Sequence, residues 1–336
     1  MHPHAEKMQN KNIVNIKDLT KTYEIKIKAN IFGQERKDYV KAVDGITAQM
    51  EEGDFLGLVG PNGSGKTTLM KILAGVLIPD KGQVDVLGFV PWQRKEEYLK
   101  KISVMFGNRS GLLFDLPVID SFELNKVIYE IDNNKYKRRL EKISKILGLK
   151  EIINIPVRKL SFGQRIRAEI GLAFLHEPKF VILDEPTIGL DIIVKNKIYE
   201  FLSKINVEEN VTIMFSTHII GDIERLCNKM MILNKGKVIW KGSMNELPSI
   251  FSKTKEIVFE YENAKSNFDR FVDKHRASVQ GNKISFLVDA KKEKIVIKEI
   301  EKIFKIKTLE IKQPSLEALL GLVYSGEKHF DLFNEK

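Results

Sequence analysis

The sequence has little of several features that define other classes of protein. It has one cysteine among 336 residues, Cys227, which excludes an internal disulfide and favours a reducing compartment. It has no run near the roughly 18 to 20 consecutive apolar residues that a membrane-spanning helix needs. The residues before Ile13 are mostly polar, which argues against a signal peptide. We therefore expect a globular protein of about two domains, each large enough to bury a core.

Neither half of the chain concentrates the positive charge, although the formal net charge is +10. Residues 248–336 hold 17 Lys and Arg against 14 Asp and Glu, so most of the surplus lies in the longer remainder. The sequence has no helix-turn-helix, zinc or RNP motif, and we expect no nucleic-acid partner. The surplus of positive charge indicates a solvated, lysine-rich surface, with attraction to an anionic membrane leaflet as the alternative.

Residues 60–67 read G-P-N-G-S-G-K-T, the phosphate-loop pattern G-x-x-x-x-G-K-[ST]. The apolar run 55–59 before them is typical of a buried strand, and a helical pattern begins at Thr67. Glycines allow successive backbone N–H groups to point at phosphates, and the helix N-terminus favours the same negative charge. Lys66 would reach the β and γ phosphates, and the Thr67 hydroxyl would bind Mg²⁺. The strand and helix on either side disfavour the alternative, a glycine-rich turn without a ligand.

The ATP-binding residues predicted in this segment are Gly60, Pro61, Asn62, Gly63, Ser64, Gly65, Lys66, Thr67 and Thr68.

A second apolar run, residues 180–183, ends in two carboxylates, Asp184 and Glu185. At the carboxyl end of a parallel strand, Asp184 would lie beside the phosphate loop and hold Mg²⁺ through water. Glu185 is the predicted general base for an attacking water. The alternative is an acidic turn before Pro186, which is improbable beside a phosphate loop.

Three further segments make the pattern specific: Leu160-Ser161-Phe162-Gly163-Gln164, Gly189-Leu190-Asp191 and Ser216-Thr217-His218. Together with the phosphate loop and the two carboxylates, their order resembles the nucleotide-binding subunits of ATP-binding-cassette (ABC) transporters. The spacings agree with that family, at 21 residues from Gly163 to Asp184 and 34 from Asp184 to His218. The resemblance covers about residues 13–247.

The resemblance implies a role for each matching residue. Tyr23 would stack on adenine, although a tyrosine taken alone is more often a packing residue. Asp191 and the signature residues Leu160, Ser161, Phe162, Gly163 and Gln164 would face the nucleotide bound by a second subunit, so each site would need two chains. His218 would contact the γ-phosphate and orient the water with Glu185, whereas a lone histidine after a strand is usually structural.

The sequence departs from the family pattern at two positions. Phe162 replaces the usual glycine of the signature, which we do not expect to abolish activity, since Ser161 and Gly163 would make the contacts. Asn108 lies where a glutamine normally serves the nucleotide, Mg²⁺ and the attacking water, and its shorter side chain would coordinate more weakly or through water. Residues 110–118 resemble an apolar loop of ABC-2-type exporters that borders a groove for a permease helix, with simple packing as the alternative.

We expect an α/β fold of the P-loop NTPase class: a RecA-like core with an antiparallel β subdomain and an α-helical subdomain at roughly residues 108–175. This ATP-binding domain would span residues 13–247. Residues 248–336 would form a small α+β ferredoxin-like module in the order β-α-β-β-α-β, with a helix at 264–275 and a turn at Gly281-Asn282. Ser315 is a plausible cap for a terminal helix. This module would support the dimer or regulate it, with a lid over the ATPase as the alternative.

The resemblance implies an ATP-binding and ATP-hydrolysing subunit that powers a separate membrane permease, with ATP and Mg²⁺ as its ligands. Export, a head-to-tail homodimer and a peripheral place on the cytoplasmic face of the cell membrane are expected. One alternative is an ABC ATPase that acts on DNA or ribosomes, but the long coiled coil and the second cassette of such relatives are absent from this sequence. Another alternative is a nucleotide-gated module with little hydrolysis. Glu185 argues against this alternative, whereas Asn108 supports it.

Overall fold

The computed structural model describes residues 12–28, 35–107, 110–247, 253–264, 267–318 and 320. The chain divides into two compact units, Met1–Gly242 and Ser243–Lys336. Each unit has a hydrophobic core of its own. The domain boundary expected at residue 247 remains a proposal.

The first unit contains a three-stranded antiparallel sheet in the order β2-β1-β4. Its strands are β1 (Asn12–Lys28), β2 (Glu35–Glu51) and β4 (Lys81–Val86). Strands β1 and β2 pair along almost their whole length, which places Tyr23 opposite Val40. Apolar residues such as Val14 and Ile16 on β1 are buried in the core. This sheet is the expected antiparallel β subdomain.

A six-stranded sheet in the order β5-β6-β7-β3-β8-β9 forms the centre of the first unit. Strands β5, β6, β7, β3 and β8 pair in parallel. Every residue of β3 and β7 is buried, as expected for parallel strands covered on both faces. The segments that follow β3, β6 and β7 therefore lie side by side at one edge of the sheet. The strands are β3 (Phe55–Val59), β5 (Ile102–Phe106), β6 (Phe180–Asp184), β7 (Thr212–Ser216), β8 (Lys229–Asn234) and β9 (Lys237–Ser243).

Seven α-helices belong to the described part of this unit, and α3, α4 and α5 form the expected helical subdomain. Arg139 of α4 joins this subdomain to the rest: its guanidinium donates to Phe174 O at 3.0 Å and forms an ion pair with Glu209 at the end of α6. The helices are α1 (Lys66–Leu73), α2 (Glu96–Leu99), α3 (Val118–Ile128), α4 (Asn133–Leu147), α5 (Phe162–Ala173), α6 (Ile192–Glu209) and α7 (Ile220–Leu226).

The second unit has the predicted order β-α-β-β-α-β. Its sheet order is β11-β12-β10-β13 with every pair antiparallel, which is the ferredoxin-like arrangement. Edge-to-face aromatic pairs fill its core, including Phe259 with Phe304 and Phe271 with Phe286. The elements are β10 (Thr254–Ala264), α8 (Phe268–His275), β11 (Ser278–Gln280), β12 (Lys283–Asp289), α9 (Glu293–Ile303) and β13 (Phe304–Lys312).

One expectation for this unit is wrong in its bounds. The helix predicted from Ala264 begins at Phe268, because Ala264 instead pairs with Phe304 on the neighbouring strand. Asn267, which precedes the helix, has φ +85°. Ser315 caps the terminal helix as predicted, since its Oγ accepts from the Ala318 N–H at 3.1 Å. In the described part of the chain, no helix combines the length and the apolar character that crossing a membrane requires.

Candidate functional site

The phosphate loop lies between β3 and α1, in the strand-loop-helix context that its sequence predicts. Gly65 has φ +104°, and a Cβ there would lie 2.1 Å from the carbonyl oxygen of Ala42. A Cβ on Gly60 would lie 2.4 Å from Leu233 O. Only glycine fits at these two positions, because backbone atoms rather than movable side chains press against them. The loop is therefore fixed between β2 and the end of β8.

Lys66 lies inside the curve of this loop. Its Nζ donates to Gly60 O at 2.7 Å and to Pro61 O at 3.1 Å, and the residue is only 6% exposed. Desolvation lowers the pKa of the ammonium, while the nearby carboxylates of Glu185 and Asp184 oppose that shift. The cation is thus held where the loop N–H groups would receive an anion.

The remaining predicted residues of the loop differ in exposure. Asn62, Gly63 and Thr67 are exposed, and Pro61, Gly65 and Thr68 are half-buried. Ser64 is buried, and its hydroxyl has no hydrogen-bond partner among the described residues. A buried hydroxyl without a partner is costly unless a ligand satisfies it. This orphaned oxygen fits a cradle built for phosphate.

Asp184 connects the ends of two strands to the loop. Its Oδ2 accepts from the Thr67 hydroxyl at 3.0 Å, and its Oδ1 accepts from the Ser216 hydroxyl at 2.5 Å. The strand pairing explains this meeting, since Asp184 on β6 lies directly beside Ser216 on β7. Thr67 and Asp184 thus face each other as two oxygen donors, the type of ligand that Mg²⁺ prefers.

These two oxygens fit a metal that a bound phosphate would also ligate. The described residues contain no cluster of three or more His, Cys, Asp or Glu that could hold a metal by itself. Mg²⁺ in phosphate sites is usually held by one or two protein oxygens together with substrate phosphates and water. The donor set present here agrees with that pattern.

Glu185 follows Asp184 and turns sharply out of the strand. Its φ is +52°, an unusual value for a residue with a Cβ, and its N–H donates to both Ser216 O and Ser216 Oγ at 3.1 Å. The Oε1 of Glu185 lies 3.6 Å from Nδ1 of His218. The structure therefore brings together Lys66, Thr67, Asp184, Glu185 and His218, all predicted from the sequence.

The signature segment has a different environment. Ser161 is the N-cap of α5 and forms a capping box, in which its Oγ accepts from Gln164 N and Gln164 Oε1 accepts from Ser161 N. Ser161 is exposed, and Phe162 is 45% exposed. Gly163 lies against Val194, whose Cγ2 would be 3.1 Å from a Cβ at that position. Within the described part of the chain, no hydrogen bond or ion pair links residues 160–164 to the phosphate loop.

The other predicted residues lie as follows. Asp191 is the N-cap of α6 and accepts from the N–H groups of Ile193 and Val194 at 2.9 Å. Tyr23 is partly exposed on β1 and pairs with Val40 on β2. Val40 lies two residues before Ala42, whose carbonyl oxygen lies against the phosphate loop at Gly65. Asn108 lies outside the described residues, so its role stays a prediction.

A groove lies between β5 and the helical subdomain. Its cavity of about 570 Å³ is bordered by residues of α3 and α5 and by His176. The His176 ring stacks on Tyr129 at 3.8 Å, and its Nε2 lies 3.0 Å from Ile102 O. Burial lowers the pKa of His176 to about 4, which keeps the ring neutral at physiological pH.

Sequence reasoning missed one buried polar cluster beside the site. Asp222 of α7 accepts hydrogen bonds from Thr187 and Tyr199, which lie on two other segments. The three residues are far apart in the sequence, so no short motif marks them. An aspartate among apolar residues in a short helical pattern was the only available signal.

Comparison with known proteins decides the family. The family described as ABC transporter matches residues 43–188. The ABC transporter ATP-binding protein NatA of Bacillus subtilis is 33% identical over 214 residues, which cover 64% of this chain and 87% of NatA.

The chain belongs to the ABC transporter ATP-binding proteins.

Another relative and a solved structure extend this result. The linearmycin resistance ATP-binding protein LnrL of Bacillus subtilis is 29% identical over 207 residues, covering 62% of this chain and 66% of LnrL. The chain thus spans slightly less than two thirds of that relative. The dimeric structure of MJ0796, a bacterial ABC transporter cassette, has a TM-score of 0.58 and 25% identity, covering 69% of this chain and 98% of the cassette.

The family membership accounts for the site. An ABC transporter ATP-binding protein is an ATPase, and its P-loop NTPase fold is the one described above. The expected fold class and the expected enzyme class are both confirmed. The roles of individual residues remain predictions.

Proposed function

We propose that this ABC ATP-binding protein is the ATP-hydrolysing subunit of an exporter and drives a separate membrane permease. The observation that carries this proposal is the meeting of Lys66, Asp184, Glu185 and His218 at the carboxyl ends of β3, β6 and β7. One chain thus supplies a phosphate cradle, a carboxylate for the metal and a candidate base.

Each residue has a role that its geometry supports. The backbone of residues 60–65 and the Lys66 ammonium bind the phosphates of ATP, and Tyr23 supports the adenine. Thr67 and Asp184 would hold Mg²⁺, which neutralises charge on the β and γ phosphates when bound. Glu185 takes a proton from the attacking water, and His218 holds that water and the γ-phosphate in place. The 3.6 Å separation between the two side chains supports this pairing.

The signature segment would complete the site of a second copy. Ser161 and the N-terminus of α5 are exposed and carry the positive end of the helix dipole, which favours an anion. The exposed start of α5 would therefore be available to the nucleotide of a partner chain. The dimeric arrangement of the similar cassette MJ0796 supports this proposal. ATP would favour the closed dimer because it binds that state better than the open one.

Three features support the transport proposal. NatA is named as the ATP-binding protein of an ABC transporter, which supports a transport path supplied by a separate permease. Residues 110–118 of the helical subdomain expose Phe114 and Leu116, which suit an apolar contact with such a partner. LnrL bears the name of a resistance protein, and resistance is readily explained by export. The chain would then lie peripherally on the cytoplasmic face of the membrane.

We also propose the domain roles. Residues 13–247, with the helical subdomain at roughly 108–175, form the ATP-binding domain. Residues 248–336 form an accessory or regulatory module, which supports the dimer or modulates it.

Glu185→Gln tests the mechanism. The substitution keeps the shape of the side chain but removes the base, so hydrolysis stops while ATP binding persists. In size-exclusion chromatography with Mg-ATP, we expect the variant to elute as a dimer and to elute as a monomer without nucleotide. A monomer in both runs would contradict the two-chain site.

A further inference from the structure

Asp222 lies next to the proposed catalytic residues but has not been given a role. It is 2% exposed, in the first turn of α7. Its Oδ2 accepts from the Thr187 hydroxyl at 2.5 Å and lies 3.5 Å from the Thr217 hydroxyl. Its Oδ1 accepts from the Tyr199 hydroxyl and lies 3.6 Å from the Lys195 ammonium. Both oxygens of one carboxylate are therefore used by donors from other segments.

The partners of Asp222 belong to the segments that carry the proposed chemistry. Thr187 is two residues after Glu185, and Thr217 is the residue directly before His218. Tyr199 and Lys195 lie on α6, which begins after Asp191. A single buried side chain thus connects the segment of the base, the segment of the histidine and the helix of the predicted interface loop.

Thr187 and Thr217 are themselves buried, at 0% and 2% exposure. Thr217 Oγ1 also accepts from the Ile219 N–H at 3.0 Å, so its O–H remains to be donated to Asp222. The Thr187 O–H is donated to the same carboxylate. Buried polar groups without partners are costly, so both threonines depend on this carboxylate for their donors. A carboxylate accepts at both of its oxygens, whereas the amide of asparagine accepts only at its one oxygen and turns an NH₂ donor toward the other set of partners. Lys195 offsets part of the cost of burying this charge.

We propose that Asp222 is a positioning residue for ATP hydrolysis, which sets the separation of Glu185 and His218 by holding Thr187 and Thr217 to one carboxylate. This inference rests on the roles proposed for Glu185 and His218. The carboxylate is buried and acts through the backbone of the two segments. Because small displacements of catalytic groups reduce rates strongly, its loss should lower kcat more than nucleotide affinity.

The test compares steady-state ATP hydrolysis by full-length Asp222→Asn and the natural chain. We expect kcat to fall roughly 10- to 100-fold, while KM and the Kd for ATP stay within about twofold. Thr187→Val, which removes only the hydroxyl, should lower kcat in the same way, and Thr187→Ser should recover most of that loss. The two Thr187 variants therefore test the positioning role even if Asp222→Asn folds poorly.

A matched control separates positioning from stability. Asp54 is also buried, at 4% exposure, and forms an ion pair with Lys229 at 3.0 Å. It lies at the amino end of β3, the end opposite the phosphate loop. Asp54→Asn should lower the melting temperature but leave kcat unchanged. If the two variants lose the same stability and kcat falls equally in both, the proposal is overturned.

Glu185→Gln in the same assay separates the proposed catalytic role of Glu185 from the proposed positioning role of Asp222. If Glu185→Gln hydrolyses ATP at the natural rate, the proposed role of Glu185 is wrong. If Glu185→Gln is inactive while folded Asp222→Asn has the natural kcat, the catalytic assignment stands and the inference about Asp222 fails. Equal kcat values for Thr187→Val and Thr187→Ser would also overturn it.

Discussion

The two sides of the proposed ATP site differ in their hydrogen bonds and in their exposure. The phosphate-loop side, comprising Gly60–Thr67, Asp184, Glu185 and His218, is connected internally. Lys66 bonds to its own loop, and Thr67 and Ser216 both donate to Asp184. The signature side, comprising residues 160–164 and Asp191, is exposed at Ser161, Phe162 and Asp191 and half-buried elsewhere, and it uses its hydrogen bonds to cap two helices.

The difference indicates that the protein core fixes the geometry of one side, whereas the other side is available to a partner. The phosphate-loop side lies at the edge of a buried parallel sheet, so the core of the protein fixes its geometry. The signature side has exposed apolar residues around it, including Ile192 and Ile193, the latter 69% exposed. Apolar groups that a helix start leaves largely exposed suit a partner surface. We expect substitutions on the two sides to fail in different ways.

Lys66→Ala should have the largest effect, because it removes the cation from the phosphate cradle. We expect affinity for ATP to fall by roughly 100-fold, since hydrogen bonds to charged phosphates are strong. Folding should be little affected, because the substitution also removes a desolvated charge. Titration of a fluorescent ATP analogue measures the loss, and Lys71→Ala on the same helix is the control. Natural affinity in Lys66→Ala would exclude this side as the nucleotide site.

Ser161→Asp should stop hydrolysis by a different route. Aspartate retains the cap of α5 but places a negative charge where a partner's γ-phosphate is expected. We expect ATP binding to a single chain to persist and ATP-driven dimerisation to be lost, with hydrolysis reduced roughly 100- to 1,000-fold. Size-exclusion chromatography and a phosphate-release assay measure these.

Ser161→Asn is the matched control, because asparagine has nearly the same shape and also caps helices but carries no charge. Its hydrolysis should exceed that of Ser161→Asp by a clear margin. Equal activity of the two variants would show that no anion approaches Ser161.

His176, in the groove between β5 and the helical subdomain, offers the smallest effect at neutral pH. Its pKa is lowered from 6.5 to about 4 in the folded chain, so the unfolded chain binds a proton more readily between these values. The stability that the neutral ring provides is therefore complete above pH 6.5 and is lost as the pH falls toward 4. We expect this loss to reach about 3 kcal/mol.

His176→Gln removes the titration while an amide N–H can still donate to Ile102 O. Its free energy of unfolding should decline less steeply than that of the natural chain between pH 6.5 and 4. Urea titrations across this range measure both curves. Parallel curves would show that His176 does not titrate with this shift.

The sequence predicted the parts of the site that lie on short, continuous patterns. The phosphate loop, Asp184 and Glu185 follow apolar runs that form the buried strands β3 and β6, so local pattern and fold agree. The cap at Ser315 was also predicted, because it depends on a residue three positions away and is equally local.

The features that could not be predicted depend on contacts between distant segments. The end of β10 at Ala264 is set by its pairing with Phe304, 40 residues further along the chain. Asp222 meets Thr187 and Tyr199 only because β6, β7 and α6 are neighbours in the fold. The exposure of the signature side likewise follows from where α5 begins relative to the sheet.

The most direct test of the shared site mixes two inactive variants. Lys66→Ala lacks a phosphate cradle but keeps its signature, and Ser161→Asp lacks a working signature but keeps its cradle. A mixed dimer would contain one complete site, formed by the cradle of the second variant and the signature of the first. We predict that equal mixing restores ATP hydrolysis to at most about one half of the natural rate, since only mixed dimers can close on ATP and each has one of two sites. No recovery at any mixing ratio, with both variants folded, would contradict the account.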